Sequence, residues 1–151
     1  MNSQNPPFRN PAPLKLYAPK AARALRVDYE GIEQKTLLLE MALRHPVAAK
    51  LIYHVPNGGH RHKSVAIELK KQGVRAGIPD LVLPMARGGY FGLYLEFKAT
   101  PPHSSPVSAS QDACLHALTE QGYLAIVCRG HRDAMDAITA YLKCPRTQVI
   151  A

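Results

Sequence analysis

Two stretches of this sequence decide its fold: Gly77-Ile78-Pro79-Asp80-Leu81-Val82-Leu83 and Tyr94-Leu95-Glu96-Phe97-Lys98. Both are short runs of β-branched, aromatic and leucine residues bounded by glycine or proline, which is typical of half-buried strands. A three-residue hairpin loop, Arg87-Gly88-Gly89, would join them and pair Ala86 with Tyr90. The two stretches therefore predict an antiparallel hairpin at the centre of the domain.

In this register Asp80 lies opposite Glu96, and Lys98 points to the same side as Glu96 because strand side chains alternate between faces. Two carboxylates a few ångströms apart repel each other unless a cation lies between them, and hard oxygen ligands suit Mg²⁺ or Mn²⁺. Such a metal activates water and a nearby lysine positions it, which is the chemistry of phosphodiester hydrolysis. The trio therefore predicts a metal-dependent site.

The alternative is that Asp80 ends a turn after Pro79, while Glu96 and Lys98 form the solvated face of an edge strand. Spacing alone does not separate these interpretations. The distribution of acidic residues favours the metal site, because the other nine of the eleven Asp and Glu residues lie in predicted helices or their flanks.

Length and composition narrow the class of protein. A chain of 151 residues is most simply one domain. Its charge of +8 indicates a polyanionic partner, although ribosomal and membrane-surface proteins share such a balance. No apolar run approaches the roughly 18 residues of a membrane span, and the N-terminus lacks the apolar core of a signal peptide. The three widely spaced cysteines suit a reducing compartment, so we expect a cytoplasmic protein, in a bacterial cell or a phage-infected host.

The chain divides into three predicted segments. Residues 1–27 carry five prolines, five basic residues and no acid, which indicates a weakly ordered arm. Residues 28–145 form the domain, and 146–151 form a C-terminal tail. Within the domain the patterns predict helix, strand, helix, strand, strand, helix, strand and helix, with the first helix over 28–44 and the first strand over 51–56. This order predicts an α/β fold with a mixed central sheet flanked by helices.

A basic segment follows the first strand and surrounds the glycine turn after Asn57. Backbone amides and cations in such a cluster would bind nucleic-acid phosphates. The candidate nucleic-acid-binding residues are Asn57, His60, Arg61, His62, Lys63, Lys70, Lys71 and Arg75. The alternatives are zinc binding by His54, His60 and His62, which the absence of a nearby cysteine disfavours, and a plain solvated surface.

These residues resemble the VRR-NUC family of virus-type replication-repair nucleases, within the PD-(D/E)XK superfamily and its restriction-endonuclease-like core. The chain is most similar to stand-alone phage or bacterial members. The matching features cover about residues 28–142 and are, in order, His54-Val55-Pro56-Asn57-Gly58-Gly59, Gly73, Gly77-Ile78-Pro79-Asp80-Leu81, Leu95-Glu96-Phe97-Lys98, Ser108-x-x-Gln111 and Gly122-Tyr123.

The resemblance implies a role for each matching site residue. Asp80 and Glu96 would bind the metal with the main-chain carbonyl of Phe97, and Lys98 would be the catalytic lysine. Glu33 matches the acidic residue of the first helix that completes many such sites, and Glu40 is a second candidate for this role. Gln111 matches a glutamine near the site, and its spacing from Ser108 also predicts a helix-capping box.

The resemblance also implies a homodimer that cuts branched DNA such as four-way (Holliday) junctions. Two centres related by a two-fold axis could make paired cuts in a two-fold junction. Two alternatives keep the same fold: a non-catalytic nucleic-acid or junction-binding module, and a sequence-specific restriction-type endonuclease. The intact trio of Asp80, Glu96 and Lys98 argues against the first, and the lack of a recognisable base-reading element argues against the second.

Overall fold

The computed structural model describes residues 27–56 and 63–148. The predicted N-terminal arm therefore lies outside the described residues apart from Val27. The elements, in chain order, are α1 (Tyr29–Arg44), α2 (Pro46–Ala49), β1 (Tyr53–His54), α3 (Lys63–Lys71), β2 (Leu81–Leu83), β3 (Leu93–Lys98), α4 (Ala109–Glu120), β4 (Leu124–Arg129) and α5 (His131–Lys143). In the described part of the chain, none of the helices combines the length and apolar character that a membrane crossing requires.

The four strands form one mixed sheet in the order β1-β2-β3-β4. The pairs β1–β2 and β2–β3 are antiparallel, whereas β3 and β4 run parallel. Helix α4 makes the crossover between β3 and β4, as a parallel connection requires. The α/β architecture with a mixed central sheet flanked by helices is therefore confirmed.

The core lies between one face of this sheet and the helices α1 and α5. Alternate residues of β3, namely Leu93, Leu95 and Phe97, are buried on this face. They belong to one cluster with Leu37 and Met41 of α1 and with Ala134, Met135 and Ile138 of α5. Because the strand alternates, the intervening residues of β3 project from the opposite face of the sheet.

The predicted hairpin register is confirmed, but the predicted loop is wrong. Leu81 pairs with Leu95 and Leu83 pairs with Leu93. The turn is formed by two residues, Gly88 and Gly89, because Arg87 rather than Ala86 pairs with Tyr90. Both glycines have positive φ, 59° and 89°. Positive φ at both positions gives a two-residue turn whose twist matches that of the flanking strands. An extra residue between Leu83 and Arg87 compensates for the shorter loop and keeps the register.

Other boundaries shift locally. The expected strand over 51–56 is limited to Tyr53–His54, and the four residues after His45 form the short helix α2, for which Pro46 provides a favourable first position. At the C-terminus, Thr147 donates its amide to Ala86 O at 3.3 Å, and Pro145 O accepts from Gly88 N at 2.9 Å. The chain therefore packs against the hairpin turn beyond the predicted boundary at 145.

Candidate metal centre

Glu96 and Lys98 occupy the non-core face of β3 and form a buried ion pair. Glu96 is 0% exposed and Lys98 is 4% exposed. The Lys98 Nζ donates to Glu96 Oε1 at 2.6 Å. A charged pair in this environment incurs a desolvation cost that good geometry only partly offsets. The strand alternation predicted from the sequence therefore produces a same-face pair that is more deeply buried than an edge strand would allow.

Gln111 connects this pair to helix α4. The predicted capping box is confirmed, since Ser108 N donates to Gln111 Oε1 at 2.9 Å and Gln111 N donates to Ser108 Oγ at 3.3 Å. The other end of the same amide, Nε2, donates to Glu96 Oε1. One side chain thus caps the helix and fixes the orientation of the Glu96 carboxylate.

Asp80 precedes β2 and lies beside Glu96, as the register requires. Its Oδ2 accepts a hydrogen bond from Phe97 N at 3.0 Å. Its main-chain carbonyl accepts from Val55 N at 2.8 Å and lies 3.0 Å from His54 Nδ1. Strand β1 therefore holds the backbone of Asp80, and strand β3 orients its carboxylate.

The electrostatics of Glu96 reflect its burial and its neighbours. Burial raises the pKa of Glu96, the hydrogen bond from Lys98 opposes this rise, and the negative charge of Asp80 adds to it. Glu96 Oε2 is buried and has no hydrogen-bond partner among the described residues. An unsatisfied carboxylate oxygen beside a second carboxylate is costly unless a cation or donor binds it.

Comparison with known proteins identifies the family. The sequence model of the VRR-NUC domain matches residues 28–132. The chain belongs to the VRR-NUC domain family. A solved structure described as a "VRR_NUC domain protein" matches with a TM-score of 0.70 and 26% identity, over 83% of this chain and 100% of that chain. Among curated proteins there is no significant match. The family resemblance is therefore confirmed, and the fold is of the nuclease type.

Within this VRR-NUC domain, the first helix brings Glu30 close to the carboxylate pair. Burial raises the pKa of Glu30, the positive charge of Lys98 lowers it, and the negative charge of Asp80 raises it. A hydrogen bond from the backbone of Ala99 also favours the ionised form. Glu30 therefore shares the electrostatic environment of the site, which the sequence interpretation missed.

Glu33, the acid expected to complete the site, accepts hydrogen bonds from Thr100 and His131. Its Oε1 accepts from Thr100 N at 3.0 Å and its Oε2 accepts from Thr100 Oγ1 at 2.7 Å. Oε2 also accepts from His131 N at 3.2 Å. Burial acts to raise the pKa of Glu33, but these hydrogen bonds outweigh it and lower the pKa. Glu33 thus joins α1 to the end of β3 and the start of α5.

Close packing at this junction depends on Gly130, which precedes α5. Its φ is 91°, a backbone conformation that residues other than glycine rarely adopt. A Cβ at this position would collide with Thr100 Oγ1 and would lie 2.9 Å from Glu33 Oε2. The glycine therefore permits the approach on which the Glu33 hydrogen bonds depend.

The remaining candidates that the structure describes are not among the residues that contact this cluster. Glu40 forms an exposed i,i+4 ion pair with Arg44 at 2.7 Å. Lys70, Lys71 and Arg75 are exposed at and after the end of α3, and Lys63 begins that helix. The predicted nucleic-acid contacts Asn57, His60, Arg61 and His62 lie outside the described residues.

The geometry fits a divalent cation with hard oxygen ligands. Across 27–56 and 63–148, no three or more His, Cys, Asp or Glu side chains are grouped so that they could hold a metal ion together. Mg²⁺ does not require such a group, because it is commonly held by one or two carboxylates together with water and substrate phosphate. The buried Oε2 of Glu96, next to Asp80, is the oxygen that such an ion would satisfy.

Helical periodicity contained a signal for Glu30. Glu30 and Gln34 are four residues apart and so lie on one side of α1. Gln34 Nε2 lies 3.0 Å from His54 Nδ1, which contacts the carbonyl of Asp80. The three residues Glu30, Gln34 and His54 thus line the same side of the site, whereas the sequence interpretation placed only Glu33 there.

Proposed function

We propose that this VRR-NUC domain is a divalent-metal-dependent DNA endonuclease. The observation that supports this most strongly is the cluster of Asp80, Glu96 and Lys98, in which a buried carboxylate oxygen has no partner among the described residues. A purely structural role does not explain why a buried acid pair and an ammonium meet at one end of a hairpin. Functional sites are where such electrostatic costs accumulate.

Asp80 and Glu96 would hold Mg²⁺ or Mn²⁺, with the main-chain carbonyl of Phe97 as a further ligand. The bound ion would lower the pKa of a water molecule and neutralise charge on the scissile phosphate. The Lys98 ammonium has three donors, of which one binds Glu96. A second donor can position the attacking water or stabilise the negative charge that develops on the phosphate. Gln111 keeps Glu96 in place.

We also propose that Glu30, rather than Glu33, is the acid of α1 that completes the site. Both oxygens of Glu33 already accept hydrogen bonds from Thr100 or His131. Besides burial, the pKa of Glu33 responds to hydrogen bonds with Thr100 and His131, whereas the pKa of Glu30 responds to the charges of Lys98 and Asp80. Glu33 then serves as a positioning residue that fixes α1 against the end of β3.

The net charge of +8 supports nucleic acid as the substrate. The exposed cations Lys70, Lys71 and Arg75 are available to bind backbone phosphates. Phosphate contacts provide affinity without sequence readout, so the domain is expected to select DNA by its structure. Branched DNA, such as a four-way junction, is the proposed substrate.

A homodimer is proposed on the basis of an apolar stripe along α1 and the segment that follows it. Leu43 is 85% exposed, and the other members are also exposed at roughly helical spacing. The stripe consists of Ile32, Leu39, Leu43, Val47 and Leu51. A monomer has no use for a large exposed patch of this kind, and a second copy would cover it isologously.

The test is cleavage of labelled four-way junction, flap, single-stranded and linear duplex DNA with Mg²⁺, Mn²⁺ or EDTA. The matched variant is Asp80→Asn, which removes the charge but keeps an oxygen that can accept from Phe97 N. Paired cuts in the junction that disappear with EDTA and with Asp80→Asn are the expected result. Cleavage retained by Asp80→Asn, in protein cleared of host nucleases, would refute the assignment. Salt-sensitive binding without cleavage would instead establish a non-catalytic module.

Glu30→Gln and Glu33→Gln separate the two acids of α1. If Glu30 completes the site, Glu30→Gln lowers kcat with little loss of stability, and Glu33→Gln mainly lowers stability. The reverse pattern would show that Glu33, and not Glu30, completes the site.

For the dimer, Leu43→Glu is expected to give monomers in analytical ultracentrifugation, while the equally charged Val65→Glu on exposed α3 leaves the dimer intact.

A further inference from the structure

Two aromatic rings stack at the edge of the candidate metal centre. Tyr29 begins α1 and His103 lies in the loop after β3. Their ring centroids are 3.7 Å apart and their planes differ by 9°. The endonuclease mechanism proposed above gives this pair no role.

The stack is attached to the two segments that carry the site. Tyr29 directly precedes Glu30, and Asp28 caps this end of α1 by accepting from Gly31 N at 2.9 Å. On the other side, His103 N donates to Thr100 O at 3.0 Å, and Thr100 is two residues beyond Lys98. The rings are therefore held beside the site by elements whose positions the site also depends on.

The Glu33 hydrogen bonds reinforce this placement. They bind the amide and the hydroxyl of Thr100 to α1 at 3.0 Å and 2.7 Å. The helix that carries Tyr29 and the loop that carries His103 are thereby joined one turn away from the rings. A pre-ordered stack loses little conformational entropy when a third ring is added.

Both rings are partly exposed, and a cation from β4 contacts the loop that carries His103. Tyr29 is 41% exposed, and His103 is exposed. Arg129, which pairs with Lys98 across β3 and β4, donates through Nη1 to Ser104 Oγ and to Ser105 O. An exposed aromatic stack with a guanidinium held on the same loop one or two residues away in sequence offers a ring for a base and a cation for its phosphate.

We propose that the Tyr29–His103 stack is a platform for one unpaired base of the strand that is cut at the metal centre. Arg129 binds the phosphate of this nucleotide or of its neighbour. The preferred substrate is then DNA with an unpaired nucleotide next to the scissile bond, as at a flap or a branch point. This inference rests on the proposed function and adds the structural feature by which the substrate is selected.

The first test compares Tyr29→Ala with Tyr29→Phe on flap DNA and on fully paired duplex. Loss of one base–aromatic stack of about 1–3 kcal/mol corresponds to a decrease in kcat/KM of roughly 5- to 150-fold. The decrease is expected for Tyr29→Ala on flap DNA and not for Tyr29→Phe, which retains the ring. The control is Phe91→Ala, which removes a ring that is 51% exposed, against 41% for Tyr29, and whose contact with Tyr123 lies at the opposite end of β3.

An abasic scan of the flap strand identifies the nucleotide. If a base stacks on Tyr29, removing that base from the flap strand lowers the rate of cleavage by the wild-type protein. The same abasic substitution does not lower the rate of Tyr29→Ala any further. This is a double-mutant cycle between a ring and a base. Equal and additive effects at every position, or an equal loss on flap and duplex, would overturn the platform.

A binding measurement separates this inference from the nuclease assignment. In EDTA, 2-aminopurine at the identified flap position, or at each position in turn, is expected to be quenched by wild-type protein and by Tyr29→Phe but not by Tyr29→Ala. Quenching that depends on Tyr29, without cleavage in any metal, would refute the nuclease and keep the platform. Metal-dependent cleavage with no effect of Tyr29→Ala on cleavage or quenching would refute the platform alone.

Discussion

Replacing Lys98 by methionine tests the energetics of the buried ion pair. The substitution keeps an unbranched side chain of similar length and removes the ammonium that lies 2.6 Å from Glu96 Oε1. Glu96 would retain the hydrogen bond from Gln111 but lose its counter-charge, while Oε2 has no partner among the described residues to compensate. Lys98→Met therefore leaves a buried carboxylate whose nearest charged neighbour, Asp80, is also negative.

Removing one partner of a buried pair typically costs about 3–5 kcal/mol, a large part of the roughly 5–15 kcal/mol by which domains are stable. The cost depends on pH through Glu96. Burial already raises its pKa in the folded protein, and without Lys98 the pKa rises further. When the pKa of a carboxyl is higher in the folded protein than in the unfolded chain, the free energy of unfolding decreases as the pH rises above the unfolded-state pKa. The cost of Lys98→Met is therefore small near pH 4.5 and grows toward neutrality, by about 1.4 kcal/mol for each added pKa unit.

The assay is urea-induced unfolding at pH 5 and pH 8, without divalent metal. The matched control is Lys71→Met, because Lys71 makes only an exposed contact of 3.6 Å with Glu68 and should contribute no more than about 0.5 kcal/mol. Adding Glu96→Gln to Lys98→Met should restore most of the stability lost at pH 8. An equal loss at both pH values, or a double variant less stable than Lys98→Met, would refute the reasoning.

Three further outcomes are expected. Glu33→Gln should cost about 1–3 kcal/mol at pH 7 in urea unfolding, because donors of Thr100 and His131 lose their charged acceptor. Since the pKa of Glu33 is lowered, this cost should decrease as the pH falls below 4.5 and through that lowered pKa, and a cost that does not change with pH would contradict the ionic origin. Mn²⁺ at about 100 times its Kd should stabilise wild-type protein by about 2.7 kcal/mol in a thermal-shift assay, and Asp80→Asn should not respond. Burial raises the pKa of Cys128 to about 12, so iodoacetamide at pH 8 should modify it only in urea, as read by peptide mass spectrometry.

The hairpin register and the relative placement of Asp80, Glu96 and Lys98 could be predicted because strand geometry is simple. A period of two residues fixes which side chains share a face, so one register determined the positions of Asp80, Glu96 and Lys98 together. The predicted register is correct although the predicted loop is wrong, because Leu81, Leu83, Leu93 and Leu95 must face the core with either turn. Gly88 and Gly89 formed the tighter turn, and the extra residue was absorbed before Arg87.

The first helix was less predictable because its rotation about its axis is set by tertiary contacts. Glu30 and Glu33 are both consistent with a helix that reaches the site, and periodicity alone does not say which carboxylate faces it. Which carboxylate faces the site depends on distant residues. Thr100 donates to Glu33 and Gly130 leaves space for this contact, while Glu30 lies close enough to Asp80 to respond to its charge. The Tyr29–His103 stack joins residues 74 positions apart by their numbers in the chain, and no local pattern indicates it.

The burial of Glu96 and Lys98 argues for function more strongly than any spacing. Buried ion pairs are weak sources of stability, and apolar residues of similar volume often serve a fold better. Here the pair is combined with a partnerless oxygen, a raised carboxyl pKa and a neighbouring aspartate, all on one face of β3. Each feature is unfavourable for the metal-free fold, and a divalent cation between the carboxylates would relieve the repulsion and satisfy the oxygen. The concentration of these costs at one site is what supports the proposed metal-binding role over a purely structural pair.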